Sequence, residues 1–274
     1  MQESQEEIQQ NNEGKKPRIA ILHDAFLYRG GGERLVTLMA KSLDADLVSG
    51  FFSGGSFDPR ELGFTGKMIS LGRPVFAKGI RHIKLLWRFF FKAKVLSEYD
   101  IVIFSGNCLD AIRHVRSDAK VYYYCHTPPR YIFDFRERYF GKIPTFVKKI
   151  LYFFLDIQAN AYKEKLARFD MIFSNSANVH DRLFNYTGYE STILYPPTDI
   201  DRFQPAIPPT SYPTNSPSYY LSFARLSPPK RVDLIAEAFT NMPEKSLIFT
   251  YGKNDPQKED PPQKNSSLSE YFEP

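Results

Sequence analysis

Cysteine is scarce here: the 274 residues include two, Cys108 and Cys125. One pair in a chain this long is no disulfide framework, which points to a reducing compartment. No metal-ligand spacing surrounds either thiol. No apolar stretch reaches the length of a bilayer span. Residues 2–14 are polar and acidic and lack the apolar core of a secretory signal. Charge of one sign is also short. Lys and Arg number 36 against 31 Asp and Glu, a net charge of +5. That mild basicity suits anionic small molecules or an anionic membrane surface. Without a dense basic face it does not argue for nucleic acid.

What is present is a core. Hydrophobic residues make up 42% of the chain and aromatic residues 15%, enough for one large or two modest domains. Apolar runs at residues 18–23, 47–52, 101–105, 121–125, 171–174 and 191–195 read as strands, with a short one at 67–71. Helical patterns at 33–42, 73–94, 144–169 and 177–186 separate them. This alternation predicts an α/β fold, a Rossmann-like parallel sheet covered on both faces. Pro196-Pro197 breaks the rhythm, and residues 196–217 read as a proline-rich linker. The rhythm restarts with a strand at 219–224, a helix at 231–240 and a strand at 246–250. Residues 1–16 and 253–274 are polar, have no apolar period, and read as disordered. The expected organisation is therefore a first domain at 17–195 and the start of a second at 218–252. One βαβ unit cannot bury a sheet of its own, so that second Rossmann-like domain is expected to be incomplete or to borrow a partner.

One turn organises the first domain. Tyr28-Arg29-Gly30-Gly31-Gly32-Glu33-Arg34 follows the strand that ends in His23-Asp24 and precedes an amphipathic helix. Gly30, Gly31 and Gly32 leave backbone N–H groups uncovered, and the helix start adds partial positive charge. Such a turn can hold a phosphate or diphosphate. Glycine also serves many such turns only by freeing φ.

Three further features follow predicted strands: Gly106-Asn107, His126 and Arg225. In open parallel sheets, ligands bind beyond the carboxyl ends of strands. His126 can hydrogen-bond a sugar hydroxyl or phosphate oxygen, or act as acid or base; it can equally serve a nearby carbonyl. Arg225 leaves a strand and Lys230 enters a helix, a fork and a point charge suited to a diphosphate. Two solvated cations would look the same.

The segment 73–94 stands apart. Arg81, Lys84 and Arg88 interleave with Ile80, Ile83 and Trp87. As a helix it has a wide apolar face flanked by cations. It reads either as a helix lying on an anionic membrane, with Arg81, Lys84, Trp87 and Arg88 as contacts, or as a core helix whose cations snorkel. The aromatic patch Phe146, Tyr152, Phe153 and Phe154 offers the same choice.

Five motifs stand in order: Gly30-Gly31-Gly32-Glu33, Tyr124-Cys125-His126-Thr127-Pro128-Pro129-Arg130-Tyr131, Ser174-Asn175-Ser176, Tyr195-Pro196-Pro197-Thr198-Asp199 and Arg225-Leu226-Ser227-Pro228-Pro229-Lys230-Arg231. Together, across residues 17–255, they resemble glycosyltransferase family 4, in particular its mannosyltransferase-like members of polysaccharide assembly. The resemblance implies a GT-B fold of two Rossmann-like lobes. It implies metal-free transfer of a sugar, with retention of configuration, from a nucleotide-sugar donor, GDP-mannose among the candidates. The acceptor would be a glycan or lipid-linked molecule at the cytoplasmic face of the membrane. Carried over by position, Gly30, Gly31 and Gly32 would lie near the donor diphosphate and His126 at the reacting sugar. Arg225 and Lys230 would neutralise the leaving diphosphate. No cofactor is implied.

The sequence also departs from that family. Its members carry Glu-x7-Glu later in the second domain, whereas Glu237 and Glu244 are one residue too close and too early. The sequence is therefore read as a truncated or frameshifted product. Two other readings compete. One is a non-catalytic remnant that binds membrane or a partner through residues 73–94. The other, an NAD-dependent oxidoreductase, fits poorly. The glycines lack GxGxxG spacing, and the second strand does not end in an acidic residue for a ribose.

Overall fold

The computed structural model describes residues 16–197, 219–223 and 230–250. The chain divides into two compact units, Met1–Thr198 and Asp199–Pro274, taken separately below.

The first unit is a seven-stranded parallel sheet. Its strands are β1 (Ile19–His23), β2 (Asp46–Ser49), β3 (Met68–Ser70), β4 (Ile101–Ser105), β5 (Lys120–Cys125), β6 (Met171–Ser174) and β7 (Thr192–Ile193). They lie in the order β3-β2-β1-β4-β5-β6-β7. From β1 the chain winds outward through β2 and β3 on one side. From β4 it winds outward through β5, β6 and β7 on the other. The order therefore reverses between β1 and β4, where a doubly wound sheet opens a crevice.

The apolar runs are continuous because both faces of the sheet are covered. Alternate residues of one strand feed different cores. Ala20 and Leu22 of β1 join Val102, Phe104, Val121 and Tyr123 in one cluster, while Ile21 joins Leu47 and Ile103 in the other. The second face is covered by α1 (Gly31–Ser42), through Val36 and Ala40. Helices α2 (Lys78–Phe91), α4 (Thr145–Leu166) and α5 (Ala177–Thr187) lie on the first face and bury Phe89, Tyr162, Leu166, Val179 and Leu183. Between α2 and α4 lies the short α3 (Arg136–Phe140).

Several bounds differ from the sequence reading for physical reasons. Helix α1 begins at Gly31, not residue 33, because the first two helical positions need no intrahelical N–H bond and tolerate glycine. Helix α2 is shorter than the expected 73–94. Strand β7 shrinks to Thr192–Ile193, an edge that among the described residues pairs only with β6. Helix α3 and three 3-10 turns, Pro59–Leu62, Ala93–Glu98 and Leu109–His114, have no period long enough to read.

The second unit, in its described residues, is one βαβ unit: β8 (Tyr219–Phe223), α6 (Val232–Thr240) and β9 (Ser246–Thr250), with β8 and β9 parallel. None of the residues 219–223 and 230–249 is buried. The expected disordered tails and most of the expected linker lie outside the described residues.

Candidate functional site

The site is assembled where β1, β4 and β5, three adjacent strands, end. Strand β1 delivers His23 and Asp24, β4 delivers Ser105, Gly106 and Asn107, and β5 delivers His126. His23 and Ser105 face each other on the last rung of the β1–β4 ladder. His23 Nδ1 lies 3.1 Å from the Ser105 carbonyl oxygen. A carbonyl only accepts, so Nδ1 carries the proton. Ser105 Oγ lies 2.7 Å from His126 Nε2, and the two imidazole rings meet edge to face at 6.2 Å. Ser105 thus ties both histidines together.

Both rings are neutral. Burial and the neighbouring His126 push His23 down to about 3, and burial alone pushes His126 down to about 4. His126 is therefore a hydrogen-bonding group rather than a cation near neutral pH.

Asp24 is the unexpected member. Gly106, at φ 97°, would bring a Cβ to 2.7 Å from the Asp24 carboxylate, so only glycine fits there. The Asn107 N–H donates to the carboxylate, while Oδ1 is buried without a hydrogen-bond partner. Burial pushes Asp24 up to about 7; the Asn107 N–H opposes that and the Glu33 charge adds to it. The sequence showed an acidic residue after β1 but gave no sign that one oxygen would be left unpaired.

The glycine turn closes the crevice from the β1 side. Gly30 is the N-cap of α1, with no side-chain cap. Glu33, in the first turn, accepts from the Tyr28 N–H at 3.3 Å. Side chains added at Gly31 or Gly32 would meet nothing within 4 Å. The start of α1 is therefore uncovered by side chains at Gly31 and Gly32, as an anion site requires, while the Glu33 carboxylate folds back against Gly30.

Of the other expected residues, Lys230 belongs to the second unit and is exposed, while Arg225 lies outside the described residues. In α2, Lys84 and Trp87 are exposed and Arg81 is half-buried, and no helix among the described residues is long and apolar enough to cross a membrane. Arg88 departs from its expected surface role. It is buried and donates to the Gly50 carbonyl at 2.9 Å and the Arg73 carbonyl at 2.7 Å. Gly72 makes room for its guanidinium.

A cavity of about 220 Å³ adjoins the crevice. Leu86 of α2, Leu109, Ile132, and Ile157 and Ala161 of α4 give it apolar walls, with Asn107, Tyr131 and the Asp110–Lys165 pair at 2.6 Å as its polar side. Asn107 thus serves both spaces. Tyr131 does too: burial and the charges of Asp110 and Asp24 push its phenol up to about 12.

No protein-family model matches the sequence, and no curated protein matches it. Solved structures do match. HepE of Anabaena, in complex with UDP and glucose, is similar with a TM-score of 0.53 and 15% identity, over 85% of this chain and 61% of its own. In complex with UDP-glucose it gives a TM-score of 0.55 at 14% identity, over 85% and 60%. A glycosyltransferase of Rickettsia africae reaches 0.49 at 14% identity, over 88% of this chain and 70% of its own, too low a score to add to the argument. The chain spans about three fifths of the length of HepE. At such identity the likeness establishes the fold: an α/β, Rossmann-like chain of the architecture found in HepE.

Proposed function

We propose that the protein is a retaining glycosyltransferase that moves a sugar from a nucleotide-sugar donor to a glycan or lipid-linked acceptor. The observation that carries this reading is the convergence of the glycine turn, Gly106-Asn107 and His126 at three neighbouring strand ends beside the switch point. The likeness to HepE, solved with UDP-glucose, supports it. So does the ordered motif set that resembles family 4 of the GT-B enzymes.

In this reading the open N–H groups of Gly31 and Gly32, with Gly30 turning the chain, meet the donor diphosphate. The bond from the anomeric carbon to the diphosphate oxygen breaks. The acceptor hydroxyl oxygen bonds that carbon on the same face, and its proton passes to the departing diphosphate. The family 4 resemblance gives Arg225 and Lys230 the task of neutralising a departing diphosphate. Neutral His126 hydrogen-bonds the transferring sugar, and Asp24 Oδ1 accepts from a sugar hydroxyl. Arg81, Lys84 and Trp87 hold the enzyme on an anionic membrane at its cytoplasmic face. UDP-glucose and GDP-mannose are the donors to test first.

Calorimetric titration with both donors tests the reading. Gly31→Glu puts a like charge on the anion site at a position where an added Cβ meets nothing within 4 Å. It should weaken donor binding about tenfold or more, and Arg225→Ala and Lys230→Ala should each do the same. Failure of any nucleotide sugar to bind, or binding indifferent to all three substitutions, would overturn it.

A further inference from the structure

The cavity beside the crevice has an unusual outer rim. On α4, Phe146, Ile150, Phe153, Phe154 and Ile157 are exposed. Their spacing is that of one helix face. The same face continues into Ala161 and Lys165, which line the cavity. A single stripe of α4 is therefore open surface along its first half and cavity wall along its second. Leu86, on the opposite rim, is flanked on α2 by exposed Ile83, Trp87 and Phe90. The cavity is an inward extension of an apolar surface, and at its inner end Asn107 and Tyr131 lead to Asp24.

The size and charge of the place select an occupant. An apolar cavity of about 150 Å³ stays dry and takes benzene, so about 220 Å³ admits a larger apolar group. Its one carboxylate, Asp110, is already neutralised by Lys165. The chain carries no Asp or Glu in residues 62–97 or 138–155, the two basic stretches that contain α2 and the first half of α4. An apolar chain ending in an anionic head would find hydrocarbon within and cations around.

We infer that this cavity binds the hydrocarbon segment of an amphiphilic, phosphate-bearing acceptor, which narrows the acceptor class to lipid-linked molecules. That the bound lipid is an acceptor rests on the glycosyltransferase reading; that the cavity takes it does not. The lipid lies between α2 and α4 and its head reaches toward the Asp24 crevice.

Trp87, the sole tryptophan, sits next to Leu86 on the rim and reports occupancy. The probe is decyl phosphate, kept below its micellar concentration and added to the full chain without donor. It should change Trp87 fluorescence saturably, while inorganic phosphate should not. Ala161→Phe fills the cavity, and Ile157→Glu places charge on its exposed rim, where folding is not at stake. Each should weaken decyl phosphate binding about tenfold or more. Ala161→Phe should leave binding to anionic vesicles unchanged. If Ala161→Phe does not fold by circular dichroism, Ile157→Glu alone decides. The inference is overturned if the folded variants bind decyl phosphate like the native chain. It is equally overturned if inorganic phosphate reproduces the signal, or if Ala161→Phe loses vesicle binding in proportion, which would mean adsorption to the surface. Donor titration is read separately, so loss of the glycosyltransferase reading would not be mistaken for loss of this one.

Discussion

A carboxylate fed by one backbone N–H and left with a free, buried oxygen is held at a cost, and Asp24 is such a group. Its pKa is pushed from 3.8 up to about 7. Between those values the folded chain keeps a proton that the unfolded chain has released, so stability falls as pH rises through the window and the cost is complete above pH 7. Asp24→Asn removes it. The variant should melt higher than the native chain, by little at pH 4 and by up to about 4 kcal/mol above pH 7, while sugar transfer falls. His23 and His126 act in the opposite sense. Their pKa values lie at about 3 and about 4 against an ordinary 6.5. The stability they lend is present above 6.5 and is lost as pH falls through that window. Melting curves from pH 4 to 9 separate the two effects; a gain for Asp24→Asn that does not vary with pH would contradict this account. The placement of His126 after β5 and of the three glycines at the start of α1 was readable, because residue type and position after a strand suffice. The unpaired oxygen of Asp24 was not, because it depends on Gly106 and Asn107, far along the chain.

At the scale of elements, α2 illustrates what a helical period can and cannot convey. Its exposed apolar face and cations were legible. The fate of Arg88 was not, since its partners are the carbonyls of Gly50 and Arg73, in segments that the period does not see. The two kinds of cation on this helix should separate in experiment. Arg88→Ala leaves two carbonyls without their donor and should cost about 3 kcal/mol of stability, read as a lower melting temperature. The double reversal Arg81→Glu with Lys84→Glu should leave melting nearly unchanged and weaken binding to anionic vesicles roughly tenfold or more. The reverse pattern would reassign both. Strands were legible where both faces are covered, as in β4, whose bounds match the apolar run, and β6 was legible although Met171 on one of its faces is exposed. Strand β7 fell short because an edge with one partner needs little apolar pattern.

Across the whole molecule, the first unit holds all of the described buried core and the second none of it. Backbone amides of β1 and β4, flanked by strands on both sides, should exchange with solvent orders of magnitude more slowly than those of β8 and β9. Hydrogen exchange read strand by strand checks this; equal protection in both units would show that the second is covered as well. The alternation of strands and helices told the fold class, but the strand order, and with it the crevice between β1 and β4, came only from the pairing.

Both thiols lie inside the first unit. Cys108 sits under β1, within 3.5 Å of the Leu22 carbonyl oxygen, and burial raises it well above the usual thiol range. Burial also pushes Cys125 up to about 12. Neither offers a thiolate to an alkylating reagent while the sheet is intact. The native chain is thus chemically silent toward maleimides. A cysteine introduced on the rim of the cavity would be the one reactive handle, ready to carry a spin label or a cross-linker without removing the natural pair.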